Sequence, residues 1–316
     1  MIYTITLNPA IDRLIKVKGS LTKKLTNRVQ KAEYDLGGKG LHVSNVLTKF
    51  NIDNQALGYI GETNQQLMKN ILAKKNIRHH LLVEVGASTR ECMVIMDDTN
   101  AGSLMITESG FHVSEKSHYK LIDFLNQFLT EKDIVVIAGS MPPNYTIAQL
   151  KDIINTIKSK NSFVACDLSG EALAAVVDMG INFIKPNQYE VQVLLQDKTT
   201  TLIQKIEELA RKIDYVVVSL GKEGSYVAHN RGEIYHVTSP TVQEQNDTGA
   251  GDVFVGAFIA QLVQGKDIQT MMRYATGCSA SKVTKYNSTD FDVIEAESYF
   301  NRISIKKLGS DDYVVS

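Results

Sequence analysis

Asp252 and the residues just ahead of it, Asn246-Asp247-Thr248-Gly249-Ala250-Gly251, form the densest chemical signal in the chain. The apolar stretch VFVGAFIAQLV follows and predicts a helix over 251–263. Two glycines opening a helix leave backbone N–H groups free and let an anion approach closely. Asp252 falls in the first turn, aimed at the same spot. A carboxylate there is out of place for simple phosphate storage. It suits a group that takes a proton from a hydroxyl as that hydroxyl attacks a phosphate. A plain glycine-rich turn would also suit these residues, since an acid in the first turn is favoured by ~0.3–1 kcal/mol.

Other segments offer binding groups in the same style. Gly37-Gly38-Lys39-Gly40 precedes a helix and could line a pocket for a polar or anionic ligand, or simply turn the chain. Lys185-Pro186-Asn187-Gln188-Tyr189-Glu190 follows a buried strand, where α/β sheets place ligands. Asn187 and Glu190 are three apart and share a helix face, an amide and a carboxylate suited to water-mediated Mg²⁺. Ser219-Leu220-Gly221-Lys222-Glu223-Gly224 would let a flat or phosphorylated ligand come close, or form a hairpin turn. Asp12 in LNPAID, Arg90 in STREC and Ser140 in GSMPP complete the set. The histidines, His42, His79, His80, His112, His118, His229 and His236, show no metal spacing, and His79-His80 reads as exposed loop. Neither a G-x-x-x-x-G-K-S/T loop nor a G-x-G-x-x-G after the first strand occurs, so P-loop and Rossmann readings have no footing.

These residues need a scaffold, and the apolar pattern describes one. Strand-like runs at 3–7, 55–60, 133–138, 162–166, 181–184 and 215–219 alternate with helical ones at 41–50, 64–75, 147–159, 170–177, 202–212, 251–263 and 268–282. Continuous apolar strands between helices predict a doubly wound α/β fold, its mainly parallel sheet buried on both faces. Segments 13–36 and 89–108 break the rhythm and read as hairpin-like excursions that could form a small separate sheet. At 316 residues, 43% apolar and 22% charged, the chain can bury a full core without disulfides or metals. Its net charge of −1 advertises neither nucleic acid nor an anionic membrane. Cys92, Cys166 and Cys278 are far apart, which predicts core residues in a reducing cytosol. The start MIYTITLNPAID reads as a strand rather than a signal peptide, and no apolar run is long enough to span a membrane.

Taken in order, LNPAID, GGKG before a helix, TR before a strand, GSMPP, KPNxxE, SLGxxG and DTGAGD resemble the ribokinase-like (PfkB) carbohydrate kinases across essentially the whole chain. TLNPAID, the lysine of GGKG and STREC are most similar to the branch holding 1-phosphofructokinase and tagatose-6-phosphate kinase. The resemblance implies one domain over 1–316, a three-layer α/β/α core with a β-sheet lid from about 12–37 and 88–109, and a homodimer through that lid. It implies ATP and Mg²⁺, a cytoplasmic location, and transfer to a hydroxyl of a ketohexose monophosphate, tagatose 6-phosphate or fructose 1-phosphate.

By the same resemblance Asp252 is the general base and Gly249, Ala250 and Gly251 form the anion hole. Asn187 and Glu190 organise Mg²⁺ through water. Lys185, Ser219, Gly221 and Gly224 meet the nucleotide, and the helix region holding Thr276, Gly277 and Ser281 borders the adenine. Asp12 takes sugar hydroxyls with Gly38 close by, and Ser140 adds a hydroxyl. Lys39 and Arg90 hold the existing phosphate, with Arg28 a further phosphate candidate. His42 stands where this branch commonly has Asn, and its imidazole would donate to a sugar or phosphate oxygen. Leu36, Asn45 and Val253 also depart from the family pattern. Two alternatives stand beside this reading: a kinase of a neutral sugar or nucleoside, and a non-catalytic sugar-phosphate-binding protein.

Overall fold

The computed structural model describes residues 1–99, 102–195, 199–229 and 232–309. The chain runs β1 (Ile2–Thr6), β2 (Ala10–Val17), β3 (Val29–Gly37), α1 (Lys39–Lys49), β4 (Asn54–Gly61), α2 (Gln65–Lys74), β5 (His79–Glu84), β6 (Arg90–Met96) and β7 (Ser103–Thr107). It continues through α3 (Glu115–Phe128), β8 (Ile134–Ala138), α4 (Ile147–Ser159), β9 (Phe163–Asp167), α5 (Gly170–Val177), β10 (Phe183–Ile184), α6 (Gln188–Leu194), α7 (Leu202–Ala210) and β11 (Tyr215–Ser219). Last come β12 (Ser225–His229), β13 (Glu233–Val237), α8 (Ala250–Val263), α9 (Ile268–Val283), α10 (Val293–Ser298) and β14 (Ile305–Lys307).

Ten strands form one sheet in the order β14-β13-β12-β11-β10-β9-β8-β1-β4-β5. Pairing is parallel from β5 to β11 and antiparallel from β11 to β14. The side-chain period of two sorts each strand between two cores. On β8, Val135 and Ile137 pack with Leu121, Ile153 and Leu173 of α3, α4 and α5, while Val136 and Ala138 pack with Val43, Phe258 and Met272 of α1, α8 and α9. The result is the expected three-layer α/β/α arrangement.

The non-alternating segments supply a second sheet, ordered β3-β2-β6-β7, with β2 and β6 parallel. Residues 100–101, between the two strands read at 89–108, lie outside the described residues. Leu14, Val94 and Met96 bury one face of this sheet beside Tyr286.

Some expectations need correction. His79 and His80 begin the edge strand β5 rather than lying in a loop, because the apolar residues after them pair with β4. The strand read at 181–184 shrinks to β10. Helix α3, capped by Ser114, adds to the predicted elements; polar Ser117 and His118 occupy its buried stripe beside Leu121 and Leu125 and mask its apolar periodicity. All three cysteines are buried, as predicted.

Candidate active site

The C-terminal ends of β1, β8, β9, β10 and β11 deliver Asn8, Ser140, Asp167, Lys185 and Ser219 to one edge of the large sheet. Helix α8 points its first turn at the same edge. Gly249 caps it in the left-handed region, at φ 81°. A Cβ on Gly249 would fall 2.0 Å from the carbonyl oxygen of Ser288, so position and conformation both require glycine. The Ala250 N–H donates to the Asp247 carbonyl at 3.1 Å, whereas the Gly251 N–H has no hydrogen bond among the described residues. Of the expected anion hole, Gly249 and Gly251 therefore have the freer donors among the described residues.

Asp252 is buried, and its Oδ2 lies 2.6 Å from His42 Nδ1. Nε2 of His42 lies 2.7 Å from the Leu36 carbonyl oxygen and 3.7 Å from Asp12 Oδ2. Both ring nitrogens are thus engaged by protein, which corrects the expectation that His42 offers a donor to the substrate. Burial alone would raise the Asp252 carboxyl, but the hydrogen bond and charge of His42, with Lys39 and Lys185 beyond, hold it below the usual carboxylate range. Burial works against a charged His42, and the bond to Asp252 with the charges of Asp252 and Asp12 overcomes it, raising the imidazole.

Asp12, on β2, accepts from Ser288 Oγ at 2.6 Å. Burial pushes its carboxyl up to about 6, with Asp35 and Asp252 adding to the rise and His42 and Ser288 opposing it. Gly37 ends β3 against Asp12, where a Cβ would clash with Oδ1 at 2.3 Å. Gly38 caps α1 at φ 96°, and a Cβ there would press on Thr6 and Pro9. Lys39 donates to Asp167 Oδ2 at 3.2 Å, and that carboxylate holds its ammonium well above the ordinary lysine range. Lys185 approaches Oδ1 of the same Asp167 at 3.8 Å, so one buried carboxylate sets both ammonium groups.

Arg90 pairs in register with Ala10 at the start of β6. Its guanidinium donates to Thr107 Oγ1, the Glu108 carbonyl and the Asn8 carbonyl, leaving a buried Nε without a partner. Asn8 Nδ2 lies 3.3 Å from Ser140 Oγ, which joins Arg90 and Ser140 into one cluster. Arg28 does not join it. It lies exposed just before β3, eight residues from Leu36, which in an extended strand is about 26 Å.

On the other side of Lys185 a cavity of about 630 Å³ opens between β11, β12, α8 and α9. Its walls include Lys185, Ser219, Gly221, Gly224, Ala250, Gly251 and Thr276. Gly224 has φ 105° and leaves no room for a Cβ against the Val237 carbonyl. Gly277 and Ser281 are not in this wall. Gly277 packs on the Ala296 carbonyl, and Ser281 donates to Glu295. Helical periodicity explains the difference, because Thr276, Ser279, Ala280 and Val283 share the cavity face. Residues not singled out in the sequence also belong here: Asn8, Asp167 and Ser288 beside Ser140, Lys39 and Asp12, and Lys222, Ser239 and Phe254 in the cavity. Asn8 sits inside LNPAID, so motif membership was its only signal.

The model of the pfkB family carbohydrate kinases matches residues 5–295. The chain belongs to that family. Among curated relatives, a tagatose-6-phosphate kinase of Staphylococcus epidermidis is 25% identical over 312 residues, covering 96% of this chain and 99% of its own. A 1-phosphofructokinase of Bacillus subtilis is 29% identical over 299 residues, covering 91% and 93%. Among solved structures, phosphofructokinase-2 of Escherichia coli in complex with fructose-6-phosphate has the same fold, with a TM-score of 0.85 at 23% identity over 95% of this chain and 98% of that one.

For a pfkB kinase the nucleotide is a substrate, and the cavity beside α8 has the walls to hold it. The metal is a separate question of donors. Asn187 Oδ1 accepts from the Tyr189 and Glu190 N–H groups, and Glu190 Oε2 accepts from the Asn187 N–H. The pair forms a capping box that starts α6, which leaves Glu190 Oε1 as its open oxygen. No group of three or more His, Cys, Asp or Glu suited to a metal occurs among the described residues. One carboxylate oxygen fits Mg²⁺, which keeps several waters and leans on substrate phosphates. It does not fit a cation caged by protein. No helix among the described residues is long and apolar enough to cross a membrane.

Proposed function

We propose that this pfkB kinase transfers the γ-phosphoryl group of ATP to a hydroxyl of a ketohexose monophosphate, such as tagatose 6-phosphate or fructose 1-phosphate, giving a bisphosphate and ADP. The observation that carries this reading is the pair of cations on the acceptor side. Lys39 opens α1 just past the end of β3, and Arg90 opens β6, the two strands that flank β2 and its Asp12. Asp12 takes sugar hydroxyls, Arg90 gives a charge-assisted bond to a phosphate oxygen from its uncommitted Nη2 N–H, and Lys39 adds a point charge.

Asp252 Oδ1 takes the proton of the attacking hydroxyl. The new bond forms between that oxygen and the γ-phosphorus, and the bond to the bridging oxygen breaks. ADP leaves with the electron pair. The α8 N-terminus, with Gly249 and Gly251, stabilises the negative oxygens. Glu190 and Asn187 support Mg²⁺ through its water shell, and the ion when bound neutralises phosphate charge. The whole chain works as one unit, and the small sheet serves as the lid over the acceptor. Val29, Tyr34, Leu104, Met105 and Ile106 expose apolar surface on that sheet, which supports a homodimer formed through it. An enzyme consuming ATP and a sugar phosphate acts in the cytoplasm.

Asp252→Asn tests the central assignment. Its kcat is expected to fall by ~10²–10⁴ with ATP binding retained. Near-normal turnover would remove Asp252 from the role of base.

A further inference from the structure

A carbonyl oxygen can only accept, so the 2.7 Å contact of His42 Nε2 with the Leu36 carbonyl requires an N–H on Nε2. An ionised Asp252 can only accept too, so the 2.6 Å contact with Oδ2 requires an N–H on Nδ1. An imidazole carrying both protons is a cation. We infer that His42 is a positioning residue which, as a buried imidazolium clamped between the end of β3 and the start of α8, fixes Asp252 Oδ2 and keeps the base ionised with Oδ1 turned to the acceptor.

This role rests on the reading of Asp252 as the general base. It needs a charged ring at this position, with both nitrogens carrying a proton. An amide can donate one hydrogen bond to a carboxylate but brings no charge. The charged groups around the pair come from every side. Asp12 faces Nε2 from β2, with Asp35 of β3 behind it, itself held by Lys75 at 2.8 Å. Lys39 of α1 and Lys185 after β10 face Asp252. The net directions agree with an ion pair: the imidazole is raised and the Asp252 carboxyl lowered against the burial of both. Asp252 can therefore act as a base in mildly acidic conditions where an isolated buried carboxyl would already hold a proton.

Two measurements test this. In ¹⁵N-histidine-labelled protein at about pH 8, where an ordinary histidine of pKa about 6.5 is neutral, His42 should show both ring nitrogens protonated. Its signal is assigned by loss in His42→Asn or by displacement in Asp252→Asn. A neutral tautomer at that pH overturns the inference, and either of the two variants suffices for the assignment. In His42→Asn and His42→Gln, the acid limb of kcat should move up by about 1–3 pH units, the span over which a neighbouring cation lowers a carboxyl. KM for ATP should hold. A loss of kcat equal at every pH, or an unmoved limb, would mean that His42 only packs. If Asp252→Asn keeps its turnover while the doubly protonated signal is seen, the base assignment fails and the ion pair stands.

Discussion

Ser288 Oγ donates to Asp12 Oδ2 across 276 positions of sequence, and the Ser288 carbonyl fills the space where a side chain on Gly249 would begin. A single residue in the loop after α9 thus braces both the Asp12 carboxylate and the cap of α8. A protonated Asp12 loses the charge that strengthens its hydrogen bond from a sugar hydroxyl. Because burial places its carboxyl at about 6, acceptor binding should weaken as pH falls through that value. The sign follows directly, since acid fills the neutral form that burial favours. Ser288→Ala removes a bond that opposes the rise, so the acid limb of kcat/KM for the acceptor should move to higher pH. A pH profile of acceptor KM in the two proteins checks this, and coincident profiles would contradict it.

Glycine is required at position 249 on two grounds, whereas Gly221 meets only one. Gly249→Ala must both hold φ 81° and displace the Ser288 carbonyl. Gly221 has φ 62° with nothing within 4 Å of an added Cβ. Left-handed strain alone costs ~1–2 kcal/mol, so Gly221→Ala should lose about that much in urea unfolding. Gly249→Ala should lose clearly more and should also abolish turnover, since Asp12 and α8 move with Ser288. Equal losses for the two variants would show that the Ser288 contact relaxes freely.

Arg90 is expected to separate phosphorylated from neutral acceptors. Hydrogen bonds to charged groups contribute ~1.5–3 kcal/mol, which corresponds to ~10–100-fold in KM. Arg90→Ala should raise KM for a ketohexose phosphate by that factor and leave any activity on fructose unchanged. Arg90→Lys should not restore binding, because an ammonium cannot hold the contacts with Thr107, Glu108 and Asn8 that orient the guanidinium. Steady-state kinetics on both acceptor types decides it. An equal effect on the two would reduce Arg90 to its contacts with Asn8, Thr107 and Glu108.

How far the site was legible in the sequence depends on what places each residue. Asp252, Gly249 and Gly251 are local to one helix start, so their geometry follows from a heptapeptide and an apolar run. The alternation of strands and helices likewise announced the large sheet, and its failure over two segments announced the small one. Partners fixed by long-range packing were hidden. Asp167 ends a buried strand and reads as core until Lys39 and Lys185 converge on it. Ser288 lies in an unpatterned loop, and nothing local points it at Asp12. Gly277 and Ser281 shared a stretch of sequence with Thr276, but the turn of α9 faces them toward α10 instead. His42 was visible as a departure, while its role depended on Leu36 and Asp252 closing around both ring nitrogens.

The most direct test of the account is ADP release from Mg-ATP across fructose 1-phosphate, fructose 6-phosphate, tagatose 6-phosphate, fructose, ribose and adenosine. Turnover confined to the phosphorylated ketohexoses is the predicted result, and the ratio among them names the acceptor. Turnover on the neutral acceptors alone would contradict the placing of Lys39 and Arg90 at a substrate phosphate.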